Sequence, residues 1–463
     1  MIFSFIAFLL IFTAIGMLSY FKNQHTNIDY LLAGHNIKPW LVALSAVATG
    51  NSGYMFVGMI GYTYTVGLSS MWLLVGWVFG DFLASLFIHK KLREISEKEK
   101  AYSFAEALSK WHGNKYQRLR LIAGLITIMF LGTYASAQLN AGSKALHVLF
   151  GWEYSVGAII GAIIVLLYCF SGGIRASIWT DAAQSFVMFF SMGLIVFVAI
   201  NKIGGVEKVI EALISISPNY LELFPSNSVF GVFYGPILFI GSWVFAGFGV
   251  VGQPHIMVRF MVMDQPANMK KVRYYYYCWY IVFCVLTVVA GLLARVLLPE
   301  IDTFDAELAL PILSRQLLPE ALVGLTLAGL FAATMSTADS QILSCSASIT
   351  KDLIQDRKVS YFVTKLSTVF ITIIALTISL TANESVFSLV IVSWSALACA
   401  FTPLITVFSL GGKPSEKLTL LMVFIGLLAM ILWRYFGLNS EIYEAAPGIF
   451  AGLGTYLILR KLI

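Results

Sequence analysis

Residues 46–58 read AVATGNSGYMFVG, and within an otherwise apolar run they place Thr49, Gly50, Asn51, Ser52 and Gly53 in succession. Further on, Ala333, Ser336 and Thr337 are spaced i, i+3 and i+4, so they share one helical face. Two carboxylates, Asp181 and Asp339, lie in equally apolar surroundings, where a charge is costly and marks a functional candidate. These residue types suit the binding of a hard cation such as sodium. Such an ion takes five or six oxygens, and an interrupted helix frees backbone carbonyls that hydroxyls from a facing helix can complete. Polar backbone in hydrocarbon is tolerated only where protein or a water-filled cavity satisfies it. The competing account of 49–53 is close helix packing through small residues. A second interruption favours the first account: residues 241–256, GSWVFAGFGVVGQPHI, carry Gly241, Gly247, Gly249 and Gly252 ahead of Pro254, five spans later. Breaks at corresponding positions of two five-helix halves imply inverted repeats with a site at the membrane midplane.

The elements that must hold these residues follow from composition. The 463 residues are 59% hydrophobic and 12% charged, with a mean hydropathy of +0.84, against roughly 25% charged in soluble globular proteins. The chain reads as an all-α integral membrane protein whose partner is the lipid bilayer. Apolar runs long enough to cross ~30 Å of hydrocarbon recur thirteen times, and the first, residues 1–21, lacks the basic start and cleavage site of a signal peptide and reads as a real span. Basic residues sort by side: Lys90, Lys91, Arg93, Lys98, Lys100 and their neighbours in 89–120 fall on one face, with Arg259, Lys270, Lys271, Arg273, Lys351, Arg357, Lys358, Lys413 and Lys417. The positive-inside rule then places the N-terminus outside and the C-terminus in the cytoplasm. The net charge of +6 is thereby accounted for, and a nucleic-acid partner is not needed. Five singly scattered cysteines give neither a zinc site nor a disulfide framework. The six histidines lie apart and mostly at membrane edges, and no paired catalytic motif is present, so the chain does not read as an enzyme. No obligate protein partner or cofactor is evident.

The segments ALSAVATGNSG (43–53), SIWTDAAQ (177–184), GQPHIMVRFM (252–261) and AATMSTADSQILSCSASITKDL (332–353) resemble the signature segments of the sodium:solute symporter family, most of all its sodium/proline symporter branch. The resemblance spans nearly the whole chain. It implies a LeuT-type core of ten helices in two inverted repeats, 39–202 and 226–409. Residues 1–38 would add a leading helix and loop, and 410–463 two trailing helices, all in one domain spanning 1–463. It also implies sodium-coupled uptake of a small organic solute into the cell, an amino acid such as proline, across the cell (inner) membrane.

By the same resemblance, sodium as coupling ion would be held by the carbonyls of Ala48, Asn51 and Ala333 and the hydroxyls of Ser336 and Thr337. A second cation site would join Asp181, Ser336, Asp339 and Ser340. Asp339 admits three readings: half of that site, a carboxylate sharing a proton with Asp181, or a solvated cap facing cytoplasmic water. Substrate contacts carry over to Ser52, Gly53, Tyr134, Gln253 and Pro254. The chain departs from the branch at Gly50, where an Asp is usual, and at Ala246 and Val250, where Trp and Tyr are usual. The aromatic cage is thereby reduced, with Asn51, Gln138 and Phe245 or Phe248 as replacement contacts. Asp81 reads as a satisfied buried carboxylate. The alternatives are a proton-coupled symporter of another small solute, a carboxylate or a different amino acid, and a transporter-like sensor. A sensor would carry a cytoplasmic tail, and only three residues follow Arg460.

Overall fold

The computed structural model describes residues 1–224, 231–299, 304–354, 359–381 and 385–461. The expected start of the seventh span at 226–230, and the basic residues Arg357 and Lys358, fall outside them. Among the described residues there is no strand, only one backbone bridge between Ile37 and Met263. Helix is what hydrocarbon demands, because it satisfies every backbone N–H and C=O within one segment.

Among the described residues, eleven helices are long and apolar enough to cross a membrane. Tyr154–Ile203, at 50 residues, is about 75 Å long, too long for one crossing of ~30 Å. It breaks at Gly173 (φ +57°, ψ −141°), where the Tyr30 carbonyl occupies the place a Cβ would take. Counting it as two passes, and adding the shorter apolar helix Ala445–Leu459, gives the thirteen expected spans. We label them α1 (Ile2–Lys22), α2 (Pro39–Val66), α3 (Leu68–Ser85), α4 (Gln117–Phe150), α5 (154–172), α6 (174–203), α7 (Phe233–Gly252), α8 (Pro266–Leu297), α9 (Glu320–Leu353), α10 (Tyr361–Thr381), α11 (Val386–Ser409), α12 (Glu416–Tyr435) and α13 (Ala445–Leu459). A short helix, Pro254–Met261, continues α7 after a break.

Burial ranks these helices. In their most apolar stretches α2, α9 and α11 are 89%, 83% and 94% buried, whereas α1, α10 and α12 are 22%, 33% and 33% buried. The first three therefore form the centre. The others present large side chains such as Phe3, Phe370 and Phe424 outward, as a lipid-facing surface does. Close packing in lipid relies on small residues that let backbones approach. Between α3 and α7 this is reciprocal: a Cβ on Gly80 would overlap the Val244 carbonyl, and one on Gly247 would overlap the Trp77 carbonyl.

Gly247→Ala forces these two helices apart and should destabilise the purified protein by about 1–3 kcal/mol. Gly241→Ala, where nothing lies within 4 Å of the added Cβ, should be nearly neutral. Thermal unfolding in detergent decides, and equal midpoints for the two variants would refute the packing account.

Candidate functional site

The helix α2 breaks where the sequence placed the break. Ser52 has φ +43° and ψ +176°, a backbone conformation a non-glycine residue holds only when its surroundings fix it. They do so here. The Gly53 N–H donates to Gln138 Oε1 at 2.8 Å, the Tyr54 N–H donates to Ser52 Oγ at 3.1 Å, and the Tyr134 hydroxyl reaches Ser52 Oγ at 3.5 Å. Gly53 is also required for space, since its Cβ would lie 2.8 Å from Thr334 Cγ2 and 2.9 Å from Ala141 Cβ. Gly50 is not so confined. An added Cβ there meets only Ile256 at 3.9 Å and the Tyr276 hydroxyl at 4.0 Å.

Facing this break, α9 presents its paired hydroxyls. Ser336 Oγ donates to the carbonyls of Ala48 and Ala333, each at 3.1 Å. Thr337 Oγ1 donates to the carbonyls of Thr49 at 2.9 Å and Ala333 at 3.1 Å. Four of the five oxygens expected around a cation, those of Ala48, Ala333, Ser336 and Thr337, are thus drawn together from two helices. The Asn51 carbonyl accepts the Tyr54 N–H, and the neighbouring Thr49 carbonyl is the one that meets Thr337.

The second break lies at Gly249–Gly252, a tight 3₁₀ turn, followed by extended Gln253 (φ −96°, ψ +102°) and Pro254 opening the next helix. Gln253 Nε2 donates to the Trp394 carbonyl at 3.0 Å. The predicted contacts Ser52, Gly53, Tyr134, Gln253 and Pro254 are all buried. Tyr134 packs edge-on against His255 at 5.6 Å, and His255 in turn against Trp394 at 6.5 Å. Buried polar atoms without a hydrogen-bond partner gather along this path: Asn51 Oδ1, Gln138 Nε2, Gln253 Oε1 and both ring nitrogens of His255. Such atoms are costly unless a ligand or water meets them.

Several expectations need correction. His255 is not at a membrane edge; it is fully buried between Tyr134 and Trp394. Phe245 and Phe248 pack elsewhere, on Phe450 at 4.3 Å and Phe87 at 6.2 Å, because they point away from the break. The cage left open by Ala246 is filled from α11, whose Trp394 Nε1 donates to the Ala246 carbonyl at 3.2 Å. Asp81 is fully buried with Tyr276 and Tyr277 facing it, although neither carboxylate oxygen attains ordinary hydrogen-bond geometry.

Asp339 is not a solvated cap. It and Asp181 are fully enclosed, and between them lies the fully buried guanidinium of Arg259. Arg259 Nη2 is 3.3 Å from Asp181 Oδ2 and 3.5 Å from Asp339 Oδ1. It also donates to Ser177 Oγ at 2.5 Å and to Ser340 Oγ. Ser45 donates to Asp181 at 2.6 Å, and Ser177 and Ser340 donate to Asp339 at 2.9 and 3.0 Å. Asp181, Asp339 and Ser340 therefore come together as expected for a second cation site, but an internal cation stands among them. Arg259, counted in the sequence among the basic residues of the cytoplasmic face, is instead fully buried because two enclosed carboxylates hold it, and Ser45 had been given no role. The signal for Arg259 was a permanent charge within a buried apolar segment, which needs a partner.

Two broken helices, one meeting the paired hydroxyls of α9 through its carbonyls and the other set against α11, define a LeuT-type transporter core. A model of the sodium:solute symporter family matches residues 30–413, and the chain belongs to that family. It is 29% identical over 473 residues to the osmoregulated proline transporter OpuE of Bacillus subtilis (strain 168), covering 99% of this chain and 94% of that one. It is 28% identical over 449 residues to the high-affinity proline transporter PutP of the same organism, covering 94% and 93%. The sodium/proline symporter of Staphylococcus aureus (strain JH9) is 29% identical over 480 residues, covering 98% and 91%. Among solved structures, a Na⁺-coupled sialic acid symporter in a substrate-bound outward-open state superposes with a TM-score of 0.84 at 19% identity, covering 99% and 97%. A nucleobase-cation-symport-1 family transporter in a closed conformation gives 0.61 at 12% identity, covering 93% and 94%.

Breaking a buried ion cluster by removing one partner typically costs 3–5 kcal/mol. Arg259→Gln should destabilise the purified protein by about that much, and Arg259→Gln/Asp339→Asn should recover part of the loss by removing one stranded carboxylate. If the double variant unfolds at the same temperature as the single one, Arg259 and Asp339 are not coupled.

Proposed function

We propose that the protein is a secondary active transporter that couples sodium entry to uptake of a small zwitterionic amino acid, with L-proline the first candidate, by alternating access. The observation that carries this reading is the meeting of Ser336 and Thr337 with the freed carbonyls of α2 at 2.9–3.1 Å. Sodium would displace those hydrogen bonds and draw the same oxygens into one shell, with the Asn51 carbonyl as a fifth ligand. The ion would thereby fix α2 against α9. Substrate would lie beside it, at the break, against Ser52, Gly53, Tyr134, Gln253 and Pro254, where the unpartnered atoms of Asn51, Gln138, Gln253 and His255 supply polar contacts. The three proline transporters among the relatives support the substrate class.

Arg259 would play the part of a second, tethered cation beside Asp181 and Asp339, leaving one sodium per cycle. One sodium entering down about 100 mV and a tenfold gradient supplies about 3.7 kcal/mol, enough for roughly 500-fold accumulation of a zwitterion. The basic residues gathered on one face support an N-terminus outside and a C-terminus in the cytoplasm of a cell-membrane protein. Proton coupling is the second reading, favoured by the pair of enclosed carboxylates that share one guanidinium.

Proteoliposomes with separately imposed sodium and proton gradients distinguish the two. L-Proline should accumulate under a sodium gradient, and a proton gradient alone should drive none. Ser336→Ala/Thr337→Ala removes two of about five ligands and should raise the sodium concentration for half-maximal uptake at least tenfold. Unchanged sodium dependence, at normal membrane levels, would sink the site.

A further inference from the structure

Where α3 and α8 run side by side, the outward surface is cut by a groove of about 620 Å³. Its floor is made of buried side chains, Leu74, Cys284 and Leu292, and its rims of the exposed Phe79, Ile281 and Val285. From Tyr277 to Leu292 it follows α8 for about 22 Å, more than the roughly 15 Å that one leaflet contributes to the hydrocarbon. Apolar walls with nothing between them forfeit their dispersion contacts, and in a bilayer the material at hand to fill them is acyl chain. One polar atom lies at the end nearest the basic face. It is the hydroxyl of Tyr277, a residue 8% exposed, and it has no hydrogen-bond partner. Phe82 packs edge-on against the same ring at 5.3 Å. Asp81 and Ser85 face the hydroxyl, but Ser85 Oγ already accepts from Arg273 Nε at 3.0 Å and donates to the Phe82 carbonyl at 2.7 Å. Neither oxygen of Asp81 attains bonding geometry.

Depth along α8 says what meets that hydroxyl. Tyr277 to Leu297 spans about 30 Å, the hydrocarbon thickness, which sets the hydroxyl at the boundary between acyl chain and headgroup. The exposed rings of Tyr274 and Tyr275 then lie at the interface, where such rings collect. Beyond them the helix is basic. Lys270 precedes Tyr277 by about two turns on the same face, and both it and Lys271 are exposed with no carboxylate paired to them among the described residues. Arg273 binds Ser85 through Nε and Nη2, and its Nη1 makes no hydrogen bond among the described residues. The acidic groups of the adjoining segments are already engaged. Glu94 pairs with Lys90 at 3.7 Å and Glu97 with Arg93 at 2.8 Å, Asp264 accepts from the Gln265 N–H and Asn268 Nδ2, and Asp81 is enclosed. We infer that this groove is a binding site for an anionic glycerophospholipid of the leaflet on the basic face, with one acyl chain along α3 and α8, an ester carbonyl on the Tyr277 hydroxyl and the phosphate against Arg273 and Lys270. A guanidinium and an ammonium suit a phosphate diester, the phenol suits an ester, and the apolar floor suits a chain; one molecule carries all three at these depths. The site is independent of the transport reaction.

The test uses the full-length protein reconstituted in phosphatidylcholine with a minor fraction of phosphatidylglycerol of the same chains, then stripped stepwise in detergent and weighed intact by native mass spectrometry. Phosphatidylglycerol should stay bound at least tenfold more than its share of the mixture. Tyr277→Phe, which removes only the hydroxyl, and Lys270→Gln should each lower that retention at least fivefold. Val285→Trp, at an exposed rim position, fills the groove without disturbing the core and should abolish it. Lys417→Gln, an exposed basic residue of the same face that lies on α12 away from the groove, should leave it unchanged. Phosphatidylglycerol carrying a photoreactive diazirine midway along one chain should crosslink to segments 71–82 and 277–292. Equal retention of the two lipids would overturn the site, since the headgroup is then not read. So would retention unchanged in Val285→Trp or in Tyr277→Phe, a loss in Lys417→Gln as large as in Lys270→Gln, or crosslinks spread evenly over α1, α10 and α12, each of which describes charge attraction to the face as a whole.

Discussion

Hydrocarbon offers a backbone no hydrogen bonds, and the architecture turns on how this chain meets that demand at one residue. At Ser52 the helix α2 abandons its own bonding, and everything next to it is arranged to replace what was lost. Gln138 from α4 takes the Gly53 N–H. Ser336 and Thr337 from α9 take the carbonyls of Ala48 and Thr49. The break therefore explains why α2 and α9 are among the most enclosed helices, and why Gly53 has no room for a side chain. In the proposed function, an ion that offered those carbonyls a stronger partner than two hydroxyls would act on a joint between α2 and α9 held by exchangeable bonds. Coupling would then mean that occupancy of the joint changes the free energy of one arrangement of helices relative to another.

The Arg259 cluster solves the same problem for charge. Asp181 lies on α6, Asp339 on α9 and Arg259 on the half-helix that follows the second break. One guanidinium nitrogen, Nη2, approaches both carboxylates and both serine hydroxyls, while Nε and Nη1 are buried with no partner among the described residues. A tethered cation does not leave. The cluster therefore pins the half-helix to α6 and α9 by bonds that are strong in a dry surrounding, just one helical turn from the exchangeable joint at Ser336. A cavity of about 20 Å³, space for a single water, touches Arg259 and Ser340 together with Ser103 from the basic segment, so this part of the structure is nearly dry.

Much of this was legible in the residues. The break at 49–53, the second at 249–254, the thirteen spans and the paired hydroxyls of α9 each announce themselves through glycine, polarity and spacing against an apolar background. What stayed hidden depends on partners far apart in sequence. Asp339 looks like a cap until Arg259, 80 residues away, closes on it. His255 looks like one of six scattered histidines until α4 and α11 enclose it. Trp394 fills the space over Ala246 from a helix 148 residues downstream, so the loss of an aromatic on α7 is compensated from another element, which no local pattern could reveal. The identity of the carbonyl facing Thr337, Thr49 rather than Asn51, depends on how far the helix unwinds, and spacing does not encode that.

The two faces of the molecule are closed by different chemistry. On the basic face the contacts are directional and charged: Asp352 accepts from Ser103 at 2.6 Å and pairs with Arg120 at 3.3 Å, Glu106 pairs with Arg120 and Lys110 at 3.0 and 2.7 Å, and Arg175 holds Asp29 at 2.5 Å. On the opposite face the partition is mainly ring on ring, Tyr54, Phe387 and Tyr62, with Glu307 accepting the N–H groups of Val386 and Phe387 and pairing with Lys144 at 2.5 Å. Ring stacks tolerate sliding and re-form without exact geometry, whereas a charged network in a partly dry setting is either made or broken. A carrier built this way has a permissive door and a strict one. Parting the basic face requires several charge pairs to break together, whereas the opposite face parts mainly ring from ring.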